Sequence, residues 1–439
     1  MTAKRKFSYR LAPWLALACL VVPMFASYYY DDMFSSISYL FEDASLTALG
    51  WDSAGYGLYT SGYSVLCVFG GLVVCGILLD KWGVRITGSL FVGLMALGAG
   101  LVLWALMHGG PSSLKLSYAG CMLFGLGSEI AGTAVTRSIA RWFKGGSMAL
   151  AMGLQLAIAR LGTAFALVLA PRLVPVQEGV YSLSQTARPA VVGMGLMAAG
   201  LILWAIFVAM DARRFPQRED PSGEESFRMK DLVKVLGNRN FWLLGLLCVL
   251  FYSSIIAFKK FAGAILVPRF QMDADAAGWM VSMLPFSTVI FAPLFGLMVD
   301  RKGHGTRWMV LGAALALIAH LLLAFAPAGV PFWGYLAMVF LGFGYSLVPA
   351  ALWPSVPKIV PDKVLGTTFA LIYWVQNLGL LSFKLLSGKL IGGEGGPVRV
   401  ELMFVLLCVL AVATALAFAG VSAKQPELGL DRPAGKDLL

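Results

Sequence analysis

An all-helical membrane protein with twelve transmembrane helices in two six-helix lobes is the fold class this sequence predicts, on three observations. The first is composition: 59% of the 439 residues are hydrophobic and only 13% charged, against roughly 25% charged in a soluble domain. Mean hydropathy is +0.79, so a soluble protein is excluded. The second is the texture of the apolar runs. Stretches such as Leu196 to Met210 and Leu402 to Gly420 are apolar without alternation, which excludes an outer-membrane barrel and leaves helices to satisfy the backbone in lipid. The third is an internal repeat. Gly76-Ile77-Leu78-Leu79-Asp80-Lys81-Trp82-Gly83 recurs as Gly296-Leu297-Met298-Val299-Asp300-Arg301-Lys302-Gly303, 220 positions on, about half the chain.

A crossing needs roughly 20 residues of helix. The runs that qualify are 11–37, 54–79, 87–107, 116–142, 147–173 and 188–210, then 241–268, 277–299, 308–327, 332–358, 365–391 and 400–420. The longest polar stretch, 211–240, separates them and carries Arg213, Arg214, Arg218, Glu219, Asp220, Glu224, Glu225, Arg228 and the turn Pro221-Ser222-Gly223. The domains expected are therefore a lobe at 1–210, a cytoplasmic linker at 211–240, a second lobe at 241–420 and a cytoplasmic tail at 421–439.

The net charge of +11 could suggest nucleic acid, but the charge sits between apolar runs rather than on one face of a soluble fold, and nucleic acid is set aside. Counting span-end residues with the adjoining loop, 23 of the 34 Lys and Arg fall in the terminal tails and even-numbered loops, 6 in odd-numbered loops and 5 in spans. By the positive-inside rule both termini are expected in the cytoplasm. The six cysteines all lie inside apolar runs without a CxxC pair, and none of the three asparagines begins an N-x-S/T acceptor. Neither a disulfide framework nor a metal site nor glycosylation is indicated, and the expected location is a bacterial cytoplasmic membrane. No nucleotide loop or catalytic constellation stands out, so no enzymatic activity and no cofactor is expected.

Charged residues at bilayer depth are costly and usually face water or one another. Glu129 and Arg160 each lie 13 residues into their spans, about 20 Å from the start at 1.5 Å per residue. One acid and one base at equal depth on sequence-adjacent helices match the two ends of a zwitterion: the carboxylate takes an ammonium, the guanidinium a carboxylate in bidentate fashion. The other reading is a permanent bridge from Glu129 to Arg160, or to Arg137 two turns along the same helix.

Tyr28, Asp31, Asp32 and Ser35 fall at i, i+3, i+4 and i+7 and read as one polar stripe on the first helix. Asp31 or Asp32 there would hold a proton or a substrate amine, or simply be solvated at a mouth. Tyr252 and Lys259 share a face of the seventh span, and Tyr373, Asn377 and Lys384 a face of the eleventh. The two lysines either receive an anionic group or snorkel to the interface. Tyr345, Pro349 and Trp353 recur every four residues on the tenth span, where Trp353 is either an apolar wall or packing. The short loops with Asp80, Lys81 and Arg85, and with Asp300 and Arg301, are assigned with Arg137 to gating; His304 and Gly305 stand where the second copy would carry a further base.

The two loops resemble the signature loops of the major facilitator superfamily. A narrower similarity lies in Ala140-Arg141-Trp142-Phe143-Lys144, in Gly153 to Gly162, in Ala351-Leu352-Trp353-Pro354, and in Val375-Gln376-Asn377-Leu378. These resemble the branch that holds lysosomal dipeptide transporters and their bacterial relatives. The resemblance implies the major facilitator fold and a clamp on peptide termini by Glu129 and Arg160. The function expected is alternating-access transport of a small zwitterion, dipeptides first, by facilitated diffusion or with protons. The rivals are an organic-anion carrier using Arg160, Lys259 and Lys384, and a transport-inactive scaffold or sensor. A monomer in the lipid bilayer is expected, with no accessory subunit indicated.

Overall fold

The computed structural model describes residues 3–144, 147–174, 181–216, 235–361 and 364–433. They form helices throughout, and eleven of these are long and apolar enough to cross a membrane. Large apolar side chains such as Leu97, Ile202 and Phe325, each more than 60% exposed, stand on their outer faces. Such a surface is stable only against lipid, and the chain is a multi-pass integral membrane protein.

In chain order the long helices are α1 (Ala3–Asp32), α2 (Ser53–Leu66), α3 (Leu72–His108), α4 (Ser113–Trp142), α5 (Met148–Leu173) and α6 (Arg188–Arg214). After 217–234, which lie outside the described residues and hold most of the expected linker, come α7 (Arg239–Lys260), α8 (Ala262–Phe270), α9 (Ala274–Lys302), α10 (Gly305–Phe325), α11 (Pro331–Ile359), α12 (Leu365–Ile391) and α13 (Gly396–Lys424).

Five spans differ from the sequence expectation. The second crossing is α2 joined to the first arm of α3 through a wide turn at Cys67–Gly71, where Gly70 takes φ +97°. The third is the second arm of α3, set off by a sharp reversal at Gly83, φ +73°. The first helix ends at Asp32 instead of 37, and residues 38–42 form a 3-10 turn. The sixth runs on to Arg214, so Asp211 belongs to a helix and not to a linker. The seventh breaks at Phe261 into α7 and α8.

Both repeats use their signature glycine alike. Gly303, φ +68°, separates α9 from α10 as Gly83 divides α3. A side chain at either position would meet the left-handed penalty that glycine escapes.

The chain forms two compact units. The first holds the described residues of Met1–Met33, Gly62–Val176 and Ser182–Glu224, the second those of Phe34–Ser61, Gln177–Tyr181 and Glu225–Leu439. Helix pairing repeats from unit to unit. In the first, α3 packs on α4 and α6, and α1 on α5 and α6; in the second, α10 packs on α11 and α13, and α7 on α12 and α13.

Residues 34–61 precede the middle of the chain, yet they belong to the second unit. There Gly263 donates its N–H to the Ser35 carbonyl at 3.0 Å, Ala264 donates to Ser38 Oγ at 3.0 Å, and the Tyr56 hydroxyl donates to the Lys260 carbonyl at 3.0 Å. Gly57 and Gly388 approach so closely that a Cβ on Gly57 would stand 2.9 Å from the Gly388 Cα.

Candidate functional site

In the first unit, two close helix contacts set the polar residues. A Cβ on Gly125 would come within 2.1 Å of the Tyr63 carbonyl, and one on Gly162 within 2.3 Å of the Phe25 carbonyl. Glycine lets α4 settle on α2 and α5 on α1, and these contacts fix the rotation of both helices. One turn beyond Gly125, Glu129 is half-buried near the middle of α4. Two residues before Gly162, Arg160 is half-buried near the middle of α5.

A hydroxyl chain adjoins the acid. Ser27 and Ser128 share a hydrogen bond of 2.6 Å, and the Tyr63 hydroxyl donates to Ser128 Oγ at 3.1 Å. Both Glu129 and Asp31 lie within electrostatic range of Tyr63, so Asp31, half-buried with Tyr28 on α1, faces the same neighbourhood.

The proposed stripe on α1 needs correction. Asp32 is buried and accepts a hydrogen bond from Thr163 Oγ1 at 2.8 Å, one helical turn from Arg160 on α5. Ser35 falls past the end of α1, where its carbonyl takes the Gly263 N–H. Only Tyr28 and Asp31 remain as half-buried polar groups on that side of the helix.

In the second unit the expected aromatics converge. Trp353 Nε1 on α11 donates to the Tyr252 hydroxyl on α7 at 2.9 Å. The same indole stacks on Tyr373 at 5.2 Å and on Phe369 at 6.1 Å, both on α12, while Tyr345 meets Tyr252 edge-on. Asn377 is buried and donates Nδ2 to the Tyr373 carbonyl at 3.1 Å; its Oδ1 has no hydrogen-bond partner among the described residues.

Lys259 is half-buried. Lys384 neither snorkels nor lies open: it is 2% exposed and donates Nζ to the Thr60 carbonyl at 3.3 Å, one of the contacts that bind 34–61 to the second unit.

The signature loops find partners that sequence reasoning missed. Arg85 donates Nε to Asp211 Oδ2 at 2.7 Å and Nη2 to the Asp211 carbonyl at 2.9 Å, with a further short bond to the Phe215 carbonyl. Trp142 Nε1 donates to Asp211 Oδ1 at 2.8 Å, and Arg141 stands 3.7 Å from Oδ2. The Arg141 guanidinium also lies over the Phe215 ring, 4.1 Å from its centre. Lys81 is exposed and Arg137 half-buried, while the side chain of Asp80 is outside the described set.

In the second copy Asp300 and Arg301 are exposed, and the carboxylate that serves the loop is Asp431. It accepts from the Thr306 N–H and Oγ1 at 2.9 Å and from Ser422 Oγ at 2.6 Å, while its backbone carbonyl accepts from the His304 N–H. Burial alone would raise its pKa; the hydrogen bonds from Ser422 and Thr306, with His304 nearby, outweigh that and hold it below the ordinary value. One sequence signal could have found both acids. Asp211 and Asp431 are 220 positions apart, the spacing of Asp80 and Asp300.

Among the described residues no cluster of three or more His, Cys, Asp or Glu could hold a metal ion. A family model described as Major Facilitator Superfamily matches residues 15–259 and 260–437. The lysosomal dipeptide transporter MFSD1 of Homo sapiens is 29% identical over 347 residues, 77% of this chain and 71% of that protein. Its Danio rerio counterpart is 29% identical over 410 residues, 90% of this chain and 84% of that protein. Among solved structures, the POT family transporter PepTSo superposes with a TM-score of 0.69 at 15% identity, covering 93% of this chain and 98% of the other. At that identity the likeness concerns the fold.

Proposed function

The chain belongs to the major facilitator superfamily and is a membrane transporter, and we propose that its cargo is a small zwitterion, with dipeptides foremost, moved by alternating access. The observation that carries this reading is the pair formed by Glu129 and Arg160. A carboxylate and a guanidinium stand half-buried near the middle of two helices of one compact unit, and each helix is fixed by a glycine contact within one turn of the charge. The Glu129 carboxylate receives the peptide ammonium, aided by Asp31, Tyr28 and the Tyr63 hydroxyl. Arg160 receives the terminal carboxylate through two parallel N–H donors. The relatives named as dipeptide transporters support the same cargo.

Within the second unit, Tyr252, Trp353 and Asn377 are the residues assigned to cargo, with Lys259 for anionic groups. An indole stacked on tyrosine accepts apolar residues of varied shape, because stacking tolerates sequence while a buried ion pair would not. Lys384 donates to the Thr60 carbonyl and is not among the residues assigned to cargo. The signature loops, with Asp80, Lys81, Arg85, Arg137, Asp300 and Arg301, gate the cytoplasmic mouth, and the basic loops and both termini face the cytoplasm of a bacterial inner membrane.

Counterflow of a labelled dipeptide into proteoliposomes tests this. Glu129→Gln removes a charge-assisted contact and Arg160→Lys the paired donors of the guanidinium, each worth about 1.5–3 kcal/mol, so uptake falls roughly 10- to 100-fold. Wild-type rates in both variants, in protein that folds and inserts normally, would refute the clamp.

A further inference from the structure

His320 on α10 and Glu401 on α13 form a fully buried ionisable pair, with side-chain exposures of 0% and 1% and 2.8 Å between Nδ1 and Oε2. Neither figures in peptide binding or in the signature loops. Each keeps one polar atom, His320 Nε2 and Glu401 Oε1, buried and without a hydrogen-bond partner among the described residues. Buried polar atoms are almost always paired, so two orphans on one ion-pairing couple point to a ligand that comes and goes.

The surroundings are apolar on two sides. Phe258 from α7 meets the imidazole edge-on at 5.5 Å, and Phe404 from α13 lies 5.3 Å away. The charged or titratable groups acting on Glu401, besides His320, are Arg269 on α8 and the Cys408 thiol on α13. Arg269 in turn donates to the carbonyls of Leu323, Ala324 and Ala326 at the end of α10. It thus ties α8 to the helix that carries His320. The other end of α8 holds residues 35–38 through Gly263 and Ala264.

We propose that His320 and Glu401 form a proton-binding site inside the second unit, filled and emptied at Nε2 of His320, whose charge sets how firmly Arg269 holds α8. When the site is empty, neutral His320 donates Nδ1–H to the Glu401 carboxylate, and the carboxylate's charge is balanced by Arg269. When one proton is added at Nε2, the imidazolium balances Glu401 and repels Arg269, and α8 loosens. Glu401 keeps a cationic partner in both states, Arg269 in one and the imidazolium in the other; the filled site carries one more positive charge, which leaves Arg269 on the carbonyls of Leu323, Ala324 and Ala326. The proposal does not depend on which solute is carried.

Histidine NMR on the intact purified protein tests it directly, because the chain has only His108, His304 and His320. With ring nitrogens labelled, His108→Gln and His304→Gln identify the His320 signals without touching the pair. As pH is lowered the His320 ring-nitrogen signals should pass from those of the neutral ring to those of the imidazolium. Glu401→Gln should change the pH at which they do so, since the ring then has no carboxylate beside it.

Hydrogen exchange of residues 262–270, corrected for intrinsic pH dependence, should be several-fold faster below the wild-type midpoint than above it. In Glu401→Gln it should be fast at both pH values. A wild-type His320 that keeps one protonation state throughout would overturn the site even if the variant failed to fold. Exchange in 262–270 that ignores the titration would overturn its link to α8.

Discussion

The two signature loops occupy matching places in the repeat and are fastened by acids at matching places, yet with different chemistry. In the first unit Asp211, 4% exposed, takes the Arg85 guanidinium, the Trp142 indole and the flank of Arg141. In the second, Asp431 takes a backbone N–H and two hydroxyls, from Thr306 and Ser422. The cause lies in one position. The counterpart of Arg85 at the repeat spacing is Gly305, and with no base there the acid caps the first turn of α10, where unpaired N–H groups favour an anion. The two copies share the acid and its place but differ in its partner, a cation in the first and a helix end in the second. The functional unit of the repeat is therefore a carboxylate stapling the last helix of each half to its signature loop; the ion pair is one way of making it.

Removing the acid from the charged staple should do the most damage. Asp211→Ala leaves Arg85 and Arg141 partly buried without their anion, at a cost on the order of 3 kcal/mol. The thermal midpoint of the intact protein in detergent should fall further than for any change at Asp431; equal losses would erase the distinction.

Arg85→Lys comes next. Lysine keeps the charge but has all its donors on one nitrogen where Arg85 uses both Nε and Nη2, so about 2 kcal/mol is expected by the same readout. Asp431→Ala should resemble the loss of a helix cap, about 1 kcal/mol, and should expose 426–433 to protease. A tail that stays protected would mean its fastening lies elsewhere.

The smallest effect is that of acid on the second staple. The folded-state pKa of Asp431 lies below its ordinary value of 3.8. Its contribution is therefore complete above that value and is lost as pH falls through the lower folded one. Protease sensitivity of the tail should rise only in that acid window, and Asp431→Asn should already show it at neutral pH.

The apolar runs made the membrane helices legible, and the Gly-x-x-x-Asp spacing identified both tight reversals, because left-handed turns leave few residue choices. Helix ends were less visible. Nothing local distinguishes Asp32, where α1 stops, from Ser35, and the break at Phe261 interrupts a run that stays apolar throughout. Asp211 was hidden by lying next to a polar linker, although its spacing to Asp431 was readable. Trp353 and Tyr252 could be named from helical periodicity, but the bond between them could not. His320 and Glu401 carry no motif: one histidine and one glutamate 81 positions apart become a pair only when α10 packs on α13.

Neither staple belongs to the residues proposed to bind cargo, so the claim that matters most for function rests on the charges at Glu129 and Arg160. Binding of one dipeptide to the purified transporter, compared with its N-acetylated and its C-amidated forms, tests that claim most directly. Free peptide should raise the thermal midpoint, while blocking either end should abolish the shift, because each cap removes the charge that one clamp residue reads. Capped and free peptides that stabilise the protein equally would contradict it.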